Sequence, residues 1–361
     1  MDRFAEIARK LRADLHTCPE PAFEEKRTKE RILRFLREET LLEVTDCGCW
    51  IWAKWTGEDD RPASRLALRA DFDAVTGADG RPGHYCGHDG HAALLCGLAG
   101  YISESRPKRS VYLIFQPAEE IGEGARLCRK LLKEEKIPEI YGLHNIPGFP
   151  KGTVLVRQGT FACASTGLEL KWTGESSHAA YPENGRNPAG AVAELVVWTR
   201  ERLQLPHKGI LLCTVIGAEM GSSAYGVSAG DAVLRLTVRG ENPEEFERFL
   251  ADIREKAEKL AAGEGLQLAV REIERFPATV NGTYGSERVV RAAALSGRQV
   301  QVLSEPMRWS EDFGYYLQEA EGAFFGIGDG EDYPQLHTQQ YSFPDEIIPD
   351  ALALFAAIAE S

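Results

Sequence analysis

The eight residues His84–His91 hold an unusual concentration of side chains that can bind metals or move protons. One thiol, three imidazoles and one carboxylate lie in this stretch. Cys86 and His88 are two positions apart, and thiolate and neutral imidazole are ordinary ligands for zinc and related metals. The apolar run 92–102 follows at once and predicts a helix. An isolated Cys-x-His motif can equally be an inert polar loop, so its interpretation depends on the rest of the chain.

Three predicted buried strands end in further side chains that bind metals or carry charge. The strands and the polar residues that follow them are 66–70 with Asp71 and Asp73, 111–116 with Glu119 and Glu120, and 140–143 with His144. Strands that alternate with helices predict a largely parallel sheet covered on both faces. Binding sites in such sheets lie beyond the carboxyl ends of the strands. We therefore expect these polar side chains to converge there.

This set of residues is large enough for two divalent metal ions. The candidate ligands are Cys86, His88, Glu120, His144 and His337. Glu119 directly precedes Glu120, and neighbouring side chains of an extended backbone point in different directions. One glutamate can therefore bind metal while the other remains a general base, which is the division that metal-assisted hydrolysis requires. The donor types suit zinc, manganese, cobalt or nickel.

The length and the order of elements predict an α/β protein with two domains. A chain of 361 residues exceeds the size at which a single core normally keeps growing. Residues 165–275 have the order β-α-β-β-α-β, which predicts an inserted ferredoxin-like domain. Residues 1–164 and 276–361 then form a discontinuous catalytic domain around a largely parallel, helix-covered sheet. We expect the inserted domain to act as a lid or a dimerisation domain.

The composition limits which classes of binding partner and which cellular compartment we expect for the protein. The formal net charge of −13 argues against nucleic acid and anionic membranes as partners. No apolar run approaches the roughly 20 residues of a membrane span. The eight cysteines are scattered rather than arranged as a disulfide framework, so we expect reduced thiols and a cytoplasmic protein.

Taken together, the motifs resemble those of the aminoacylase-like di-metal amidohydrolases, a metallopeptidase-related family. This family includes indoleacetyl-amino-acid hydrolases, hippurate hydrolase and N-acetyldiaminopimelate deacetylase. The matching segments run in family order and are 15–20, 69–74, 86–91, 115–120, 142–145, 177–180, 310–313 and 336–338. Each is weak alone, but the complete set is specific.

The resemblance implies a role for each matching residue. Cys86, His88, Glu120, His144 and His337 correspond to the metal ligands, Glu119 to the general base, and Asp73 to a carboxylate that orients a ligand. His178 corresponds to a histidine that the inserted domain offers to the substrate, often from the opposite subunit of a homodimer. Asn281 corresponds to a substrate-contacting residue, and Arg239 is a weaker candidate for binding a substrate carboxylate.

The function that follows is metal-dependent hydrolysis of the amide bond of a small N-acyl amino acid or related conjugate. Glu119 would accept a proton from water and pass it to the leaving amine, while a metal ion and His178 would stabilise the oxyanion. One alternative is a dipeptidase or carboxypeptidase that uses the same site. Another is a catalytically silent protein that binds metal or ligand, although such a protein has no need of Glu119.

The remaining polar residues of the motifs have simpler interpretations. We expect His16 to cap or pack at the end of the first helix, and His84 and His207 to be exposed loop residues. His91 is expected to satisfy backbone groups at a helix start. Asp312 suits either a helix cap or the site.

Overall fold

The computed structural model describes all residues, 1–361, and has ten α-helices and sixteen strands. The helices are α1 (Asp2–Leu15), α2 (Lys26–Glu39), α3 (His88–Ser105), α4 (Gly124–Cys128), α5 (Lys130–Glu134), α6 (Ala189–Arg202), α7 (Pro243–Gly263), α8 (Thr283–Leu295), α9 (Gly314–Leu317) and α10 (Ile348–Glu360). None of them has both the length and the apolar character that a bilayer crossing requires.

The strands are β1 (Glu43–Asp46), β2 (Ile51–Trp55), β3 (Leu66–Asp71), β4 (Val75–Thr76), β5 (Pro82–Gly83), β6 (Val111–Gln116), β7 (Glu139–Pro147), β8 (Val154–Val156), β9 (Gly159–Ala162), β10 (Ala164–Thr173), β11 (Leu211–Met220), β12 (Asp231–Gly240), β13 (Gln267–Phe276), β14 (Thr279–Asn281), β15 (Val300–Val302) and β16 (Glu321–Gly330). They divide between two compact units. The first unit comprises Met1–Phe161, Thr279–Pro306 and Asp312–Ser361, and the inserted unit comprises Ala162–Ala278 and Met307–Glu311.

The first unit is built on an eight-stranded mixed sheet with the order β1-β2-β6-β3-β7-β16-β8-β15. Its central strands β6, β3, β7 and β16 are parallel to one another. Every residue of β3, β6 and β7 is buried, as expected for parallel strands covered on both faces. This confirms the predicted α/β class and places the strand ends that carry polar residues at one edge of the sheet.

Helix α3 lies in the core of the first unit. Fifteen of its eighteen residues are buried, including Leu94, Leu98 and Ile102. It packs against α1 and α10 as well as against β3. A helix that is apolar on all sides is stable only when it is enclosed in this way. Its first residue, His88, is therefore held by a rigid element.

The inserted unit is a four-stranded antiparallel sheet with the order β11-β12-β10-β13 and the two helices α6 and α7. Residues of β12 alternate between buried and more exposed positions, which is the pattern of a sheet with one solvated face. The buried face carries Leu170, Trp172, Leu234 and Leu236, which pack in one core with residues of α6 and α7. This element order is the ferredoxin-like order expected from the sequence.

Candidate active site

The sharp turn before α3 brings Cys86 and His88 to the carboxyl ends of β3 and β7. Gly87 has a φ of +91°, and a Cβ added there would lie 2.8 Å from Asn145 Oδ1. Glycine is therefore required at this position both for conformation and for space. The sequence pattern Cys-Gly-His thus encodes the turn as well as the two metal-binding side chains.

His88 is buried and oriented through one ring nitrogen. Its Nδ1 lies 3.1 Å from the carbonyl oxygen of Asp73 and 3.2 Å from Asp73 Oδ1, so Nδ1 carries a proton and donates. Its Nε2 is buried and has no hydrogen-bond partner. Burial alone would lower the pKa of His88, but the charges of Asp71 and Cys86 and the hydrogen bond to Asp73 together outweigh it and raise that pKa well above its usual value. Nε2 is therefore aimed at a position where positive charge is favoured.

Cys86 and His144 meet on the same side of the site. The Sγ atom of Cys86 lies 3.4 Å from His144 Nε2. His144 Nδ1 donates to the carbonyl oxygen of Asn145 at 2.7 Å, and burial lowers the pKa of His144 well below its usual value. His144 is thus a neutral imidazole whose Nε2 lone pair faces the thiol. Burial also raises the pKa of the Cys86 thiol well above its usual value, so a thiolate here requires a neighbouring cation.

Glu120 and His337 lie close to each other within the same cluster of candidate ligands. Glu120 Oε1 lies 3.6 Å from both His337 Nε2 and His88 Nε2. This oxygen is buried without a hydrogen-bond partner. Burial raises the pKa of Glu120 to about 8, and the charge of His88 offsets only part of that rise. An unpartnered carboxylate oxygen next to unpartnered imidazole nitrogen is an arrangement that a metal ion would complete.

The types and positions of these side chains fit a site for divalent metal ions. Cys86, His88 and His144 have ligand atoms within 4.8 Å of one another, and so have Cys86, Glu120 and His337. Cys86 belongs to both groups. Of the nine buried side-chain nitrogen and oxygen atoms that lack a hydrogen-bond partner, two, His88 Nε2 and Glu120 Oε1, belong to this set. Because buried polar atoms without partners are rare in folded proteins, two of them in one cluster of metal-binding side chains indicate a cation site.

Glu119 lies beside the same cluster. Its Oε2 is 3.9 Å from His88 Nε2, and the ligand atoms of His88, Glu119 and Glu120 lie within 4.8 Å of one another. The backbone N–H of Asp312 points to Glu119 Oε1 at 3.4 Å. The two adjacent glutamates thus face one cluster from different directions, as the sequence predicts.

A network of buried hydrogen bonds next to the ligand candidates was not predicted from the sequence. His91 Nδ1 lies 2.6 Å from Asp71 Oδ1, and His91 Nε2 lies 2.6 Å from Asn145 Oδ1. The His91 ring is 4.8 Å from the His144 ring. His91 therefore bonds to side chains rather than to the backbone groups expected of it. Its only sequence signal was its place in the Cys-Gly-His-Asp-Gly-His motif.

Arg69 connects this hydrogen-bond network to the buried side chains of Asp312 and Gln116. It donates to Asp71 at 2.7 Å, to Asp312 at 2.8 Å and to Gln116 at 2.8 Å. Burial raises the pKa of Asp71, but the charges of Arg69, His88 and His91 outweigh it and hold that pKa well below its usual range. Asp312 also accepts from the N–H of Ala125 at 2.7 Å. Asp312 therefore caps α4, not the helix that follows it in sequence.

Of the histidines outside the cluster, His84 differs from expectation, whereas His16 caps the end of α1 as expected. The exposed loop position predicted for His84 is wrong, because the residue is only 3% exposed and its Nε2 lies 3.2 Å from the carbonyl oxygen of Leu15. The end of α1 packs over the loop that carries it. His16 pairs with buried Asp89 at 2.7 Å, which links the end of α1 to the first turn of α3.

Asn281 lies in β14 of the first unit. Its Nδ2 donates to the carbonyl oxygens of Arg157 at 3.0 Å and Phe324 at 2.7 Å, and its Oδ1 accepts from the N–H of Phe324 at 2.8 Å. The amide group thus joins three elements of the first unit. Its contact with substrate stays a prediction.

His178 and Arg239 lie in the inserted unit. His178 is exposed, and its Nδ1 accepts from the N–H of Ala180 at 3.0 Å, so its Nε2 carries the proton. Arg239 is partly buried and donates to the carbonyl oxygen of Arg308 at 3.1 Å and to Ser310 Oγ at 3.0 Å. No carboxylate charge acts on Arg239, and burial lowers its pKa. Both are groups able to donate to an anionic ligand.

Known proteins resemble this chain over nearly its whole length. An N-acetylcysteine deacetylase of Bacillus subtilis is 30% identical over 371 residues, which cover 97% of this chain and 95% of that protein. An N-acetyldiaminopimelate deacetylase of Lacticaseibacillus paracasei is 29% identical, with 95% of each chain covered.

Solved structures extend the resemblance to the fold. The structure of the Bacillus subtilis YxeP protein, described as a dinuclear metal binding peptidase from the M20 family, superimposes with a TM-score of 0.84. The two are 27% identical, and the match covers 99% of this chain and 98% of that one. The family model of Peptidase family M20/M25/M40 matches residues 67–361. Together with the identity to the deacetylases, this match shows that the chain belongs to peptidase family M20/M25/M40.

Proposed function

We propose that this protein is a metal-dependent amidohydrolase that cleaves small N-acyl amino acids into a carboxylic acid and an amino acid. The observation that carries the proposal is Glu119, a carboxylate placed beside a cluster of metal-binding atoms but adjacent in sequence to the ligand candidate Glu120. The deacetylase relatives act on substrates of this class by their names. A protein that only binds metal has no use for such a base.

Two divalent ions fit the donor set. Cys86, His88 and His144 would hold one ion, and Cys86, Glu120 and His337 would hold the other. When bound, the ions acidify water and polarise the amide carbonyl. The thiolate, imidazole and carboxylate donors suit zinc, manganese, cobalt or nickel. Asp73 would orient His88 through the hydrogen bond to Nδ1.

Glu119 moves the proton. As a carboxylate it accepts a proton from the attacking water, and as the acid it delivers that proton to the leaving nitrogen. The N–H of Asp312 directs one oxygen of Glu119, which leaves the other on the side of His88 at 3.9 Å. The same residue therefore serves both halves of the reaction.

The inserted unit supplies groups for the substrate. The Nε2–H of His178 is suited to the oxyanion that forms at the acyl carbon. Arg239 lacks a carboxylate partner within the chain and is suited to the carboxylate of the amino-acid part. In the first unit, Asn281 of β14 is the candidate for a further substrate contact.

A homodimer that forms through the inserted unit is part of the proposal. Strand β11 is the edge of its sheet, and Val215 and Ile216 of this strand are 45% and 61% exposed. An exposed apolar edge strand favours pairing with a second copy. All eight cysteines are free thiols, which favours a reducing compartment, and we place the protein in the cytoplasm.

The test is Glu119→Gln, assayed with bound metal. We expect the variant to retain the metal content of the wild type and to lose about 10³-fold in kcat on N-acyl amino acids, because the base is gone while the ligands remain. The matched control is Glu123→Gln, four residues along the same loop, where kcat should stay within about twofold of wild type.

A panel of N-acetyl amino acids and dipeptides completes the experiment. Release of amino acid from the acylated substrates, but not from dipeptides, supports the proposal. Faster release from dipeptides would replace it with a dipeptidase. A metal-loaded wild type that releases nothing, or a Glu119→Gln variant with wild-type kcat, would overturn it.

A further inference from the structure

We propose that Glu25 is a positioning residue that fixes the turn 117–120 and thereby the directions of Glu119 and Glu120. This inference rests on the proposed function for its effect on turnover. Glu25 lies between α1 and α2, almost one hundred residues from the turn in sequence. It is 4% exposed and contributes no ligand atom to the metal-binding groups.

The turn itself contains a conformation that needs support. Ala118 has a φ of +52°, a left-handed conformation that is unfavourable for any residue with a Cβ. It is fully buried. Such conformations persist where the surrounding structure holds them, and they concentrate at functional sites. The residue that follows immediately is Glu119.

Glu25 supplies that support from one side. Its Oε1 accepts from the N–H of Ala118 at 2.9 Å. The carbonyl oxygen of Ala118 accepts from the N–H of Gly124 at 3.1 Å, so both backbone polar groups of the strained residue are bonded. Without Glu25 the buried N–H of Ala118 loses its acceptor, which costs about 1–3 kcal/mol in a typical interior.

Asp73 holds the other end of the same turn. Its Oδ2 accepts from the N–H of Glu120 at 3.0 Å. Glu119 therefore lies between two backbone amides, those of Ala118 and Glu120, each bonded to a carboxylate from a distant part of the chain. Burial raises the pKa of Glu25 to about 7, and the charge of Asp73 adds to the rise. The fold retains this acidic pair although their mutual repulsion is unfavourable.

A purely local role for Glu25 does not account for its position. It precedes α2 at the N-cap position, yet its side chain makes no capping hydrogen bond. Glu20 caps α2 instead, because its carboxylate accepts hydrogen bonds from the N–H groups of Thr28 at 2.9 Å and Arg27 at 3.2 Å. The carboxylate of Glu25 interacts with the local backbone of Glu25 and Phe23 but also reaches the N–H of Ala118 across the fold.

The experiment compares Glu25→Ala, Glu25→Gln and the neighbouring exposed control Glu24→Ala. In Glu25→Ala we expect amide hydrogen exchange of residues 118–121 to accelerate at least tenfold, metal affinity to fall about 10–100-fold, and kcat to fall similarly with KM within about threefold. Glu25→Gln retains an oxygen for the Ala118 N–H and should recover most of the metal affinity. Glu24→Ala should match wild type in all three measurements.

Two outcomes would overturn the inference. One is a Glu25→Ala variant with wild-type exchange at 118–121 and wild-type metal affinity. The other is equal loss in the alanine and glutamine variants together with general acceleration of exchange in α1 and α2, which would assign Glu25 to the stability of that region. Exchange and metal titration do not depend on the substrate, so they decide the role of Glu25 even if the wild type hydrolyses no N-acyl amino acid.

Discussion

The two units of this protein handle charge in opposite ways. The first unit buries many ionisable side chains, among them Arg69, Asp71, His88, Asp312 and Asp329. In the inserted unit, the buried polar residues other than Glu311 are the neutral Ser165, Thr166 and Thr199. The side chains of its ion pairs, such as Arg235 with Glu219 and Arg202 with Asp252, remain partly exposed.

The difference follows from the two kinds of sheet. A parallel sheet with both faces covered has polar groups only where its strands end, so charged residues meet there in a dry environment. An antiparallel sheet with one wet face can keep its charged residues in solvent. The first unit therefore holds most of the groups whose pKa values burial shifts strongly, whereas the inserted unit keeps its charged side chains closer to solvent. Four experiments test this contrast.

The largest effect on stability is expected from Arg69→Met. It leaves Asp71 and Asp312 buried without their cation, and breaking a buried ion pair from one side costs about 3–5 kcal/mol of unfolding free energy. The comparison variant Arg235→Met in the inserted unit should cost less than about 1 kcal/mol. Urea titrations of both variants give the two values, and similar losses would mean that the units do not differ in this way.

The next effect is a dependence on pH that Asp329 produces. Burial raises the pKa of Asp329 to about 7, above the value near 3.9 of an unfolded aspartate. The folded state then binds the proton more tightly, so this group reduces the unfolding free energy as pH rises from about 4 to about 7, by up to about 4 kcal/mol.

Asp329→Asn should remove this decline while it keeps an acceptor for Tyr341, whose hydroxyl lies 3.0 Å from Asp329 Oδ2. Unfolding free energies of wild type and variant should therefore diverge between about pH 4 and about pH 7 and stay apart at higher pH, where the variant is the more stable. Exposed Asp231 of the inserted unit provides the control variant Asp231→Asn. Parallel pH curves for wild type and Asp329→Asn would contradict the prediction.

Removal of metal should destabilise the first unit selectively. A ligand present at 100 times its Kd stabilises the state that binds it by about 2.7 kcal/mol. Removal of the metal with a chelator should therefore lower the unfolding temperature of the first unit and leave that of the inserted unit unchanged. Calorimetry with and without the chelator measures both transitions. Cys86→Ala, which removes the side chain common to both metal-binding groups, should abolish the chelator effect. A chelator that lowers both transitions equally would argue against a site confined to the first unit.

The smallest effect on stability is expected from Ile216→Lys on the edge strand of the inserted unit. Ile216 is 61% exposed, so the unfolding free energy of a single chain should change by less than about 0.5 kcal/mol. If the proposed homodimer forms through this edge, sedimentation should show the variant as a monomer. Leu295→Lys, at a 75% exposed position of the first unit, should leave the oligomeric state as it is in the wild type.

The sequence by itself determined the fold class and the order of the main elements, and it proposed the members of the candidate site. Strand and helix periods are local, so the buried strands β3, β6 and β7 and the β-α-β-β-α-β order of the inserted unit could be read directly. The rule that sites lie beyond strand ends then brought Asp73, Glu120 and His144 together. The motifs that carried the family resemblance contained Cys86 and His337 as well.

Only the tertiary structure decided which partner each polar group has. His84 is buried because the end of α1 covers it, Asp312 caps α4 across the fold, and Glu25 holds Ala118 from 93 positions away in sequence. Hydrogen bonds between distant segments leave no period in the sequence, since either partner alone is compatible with an exposed loop. Types and order of residues could thus be predicted, whereas burial, pKa shifts and the bonds that position the site depend on how the elements pack.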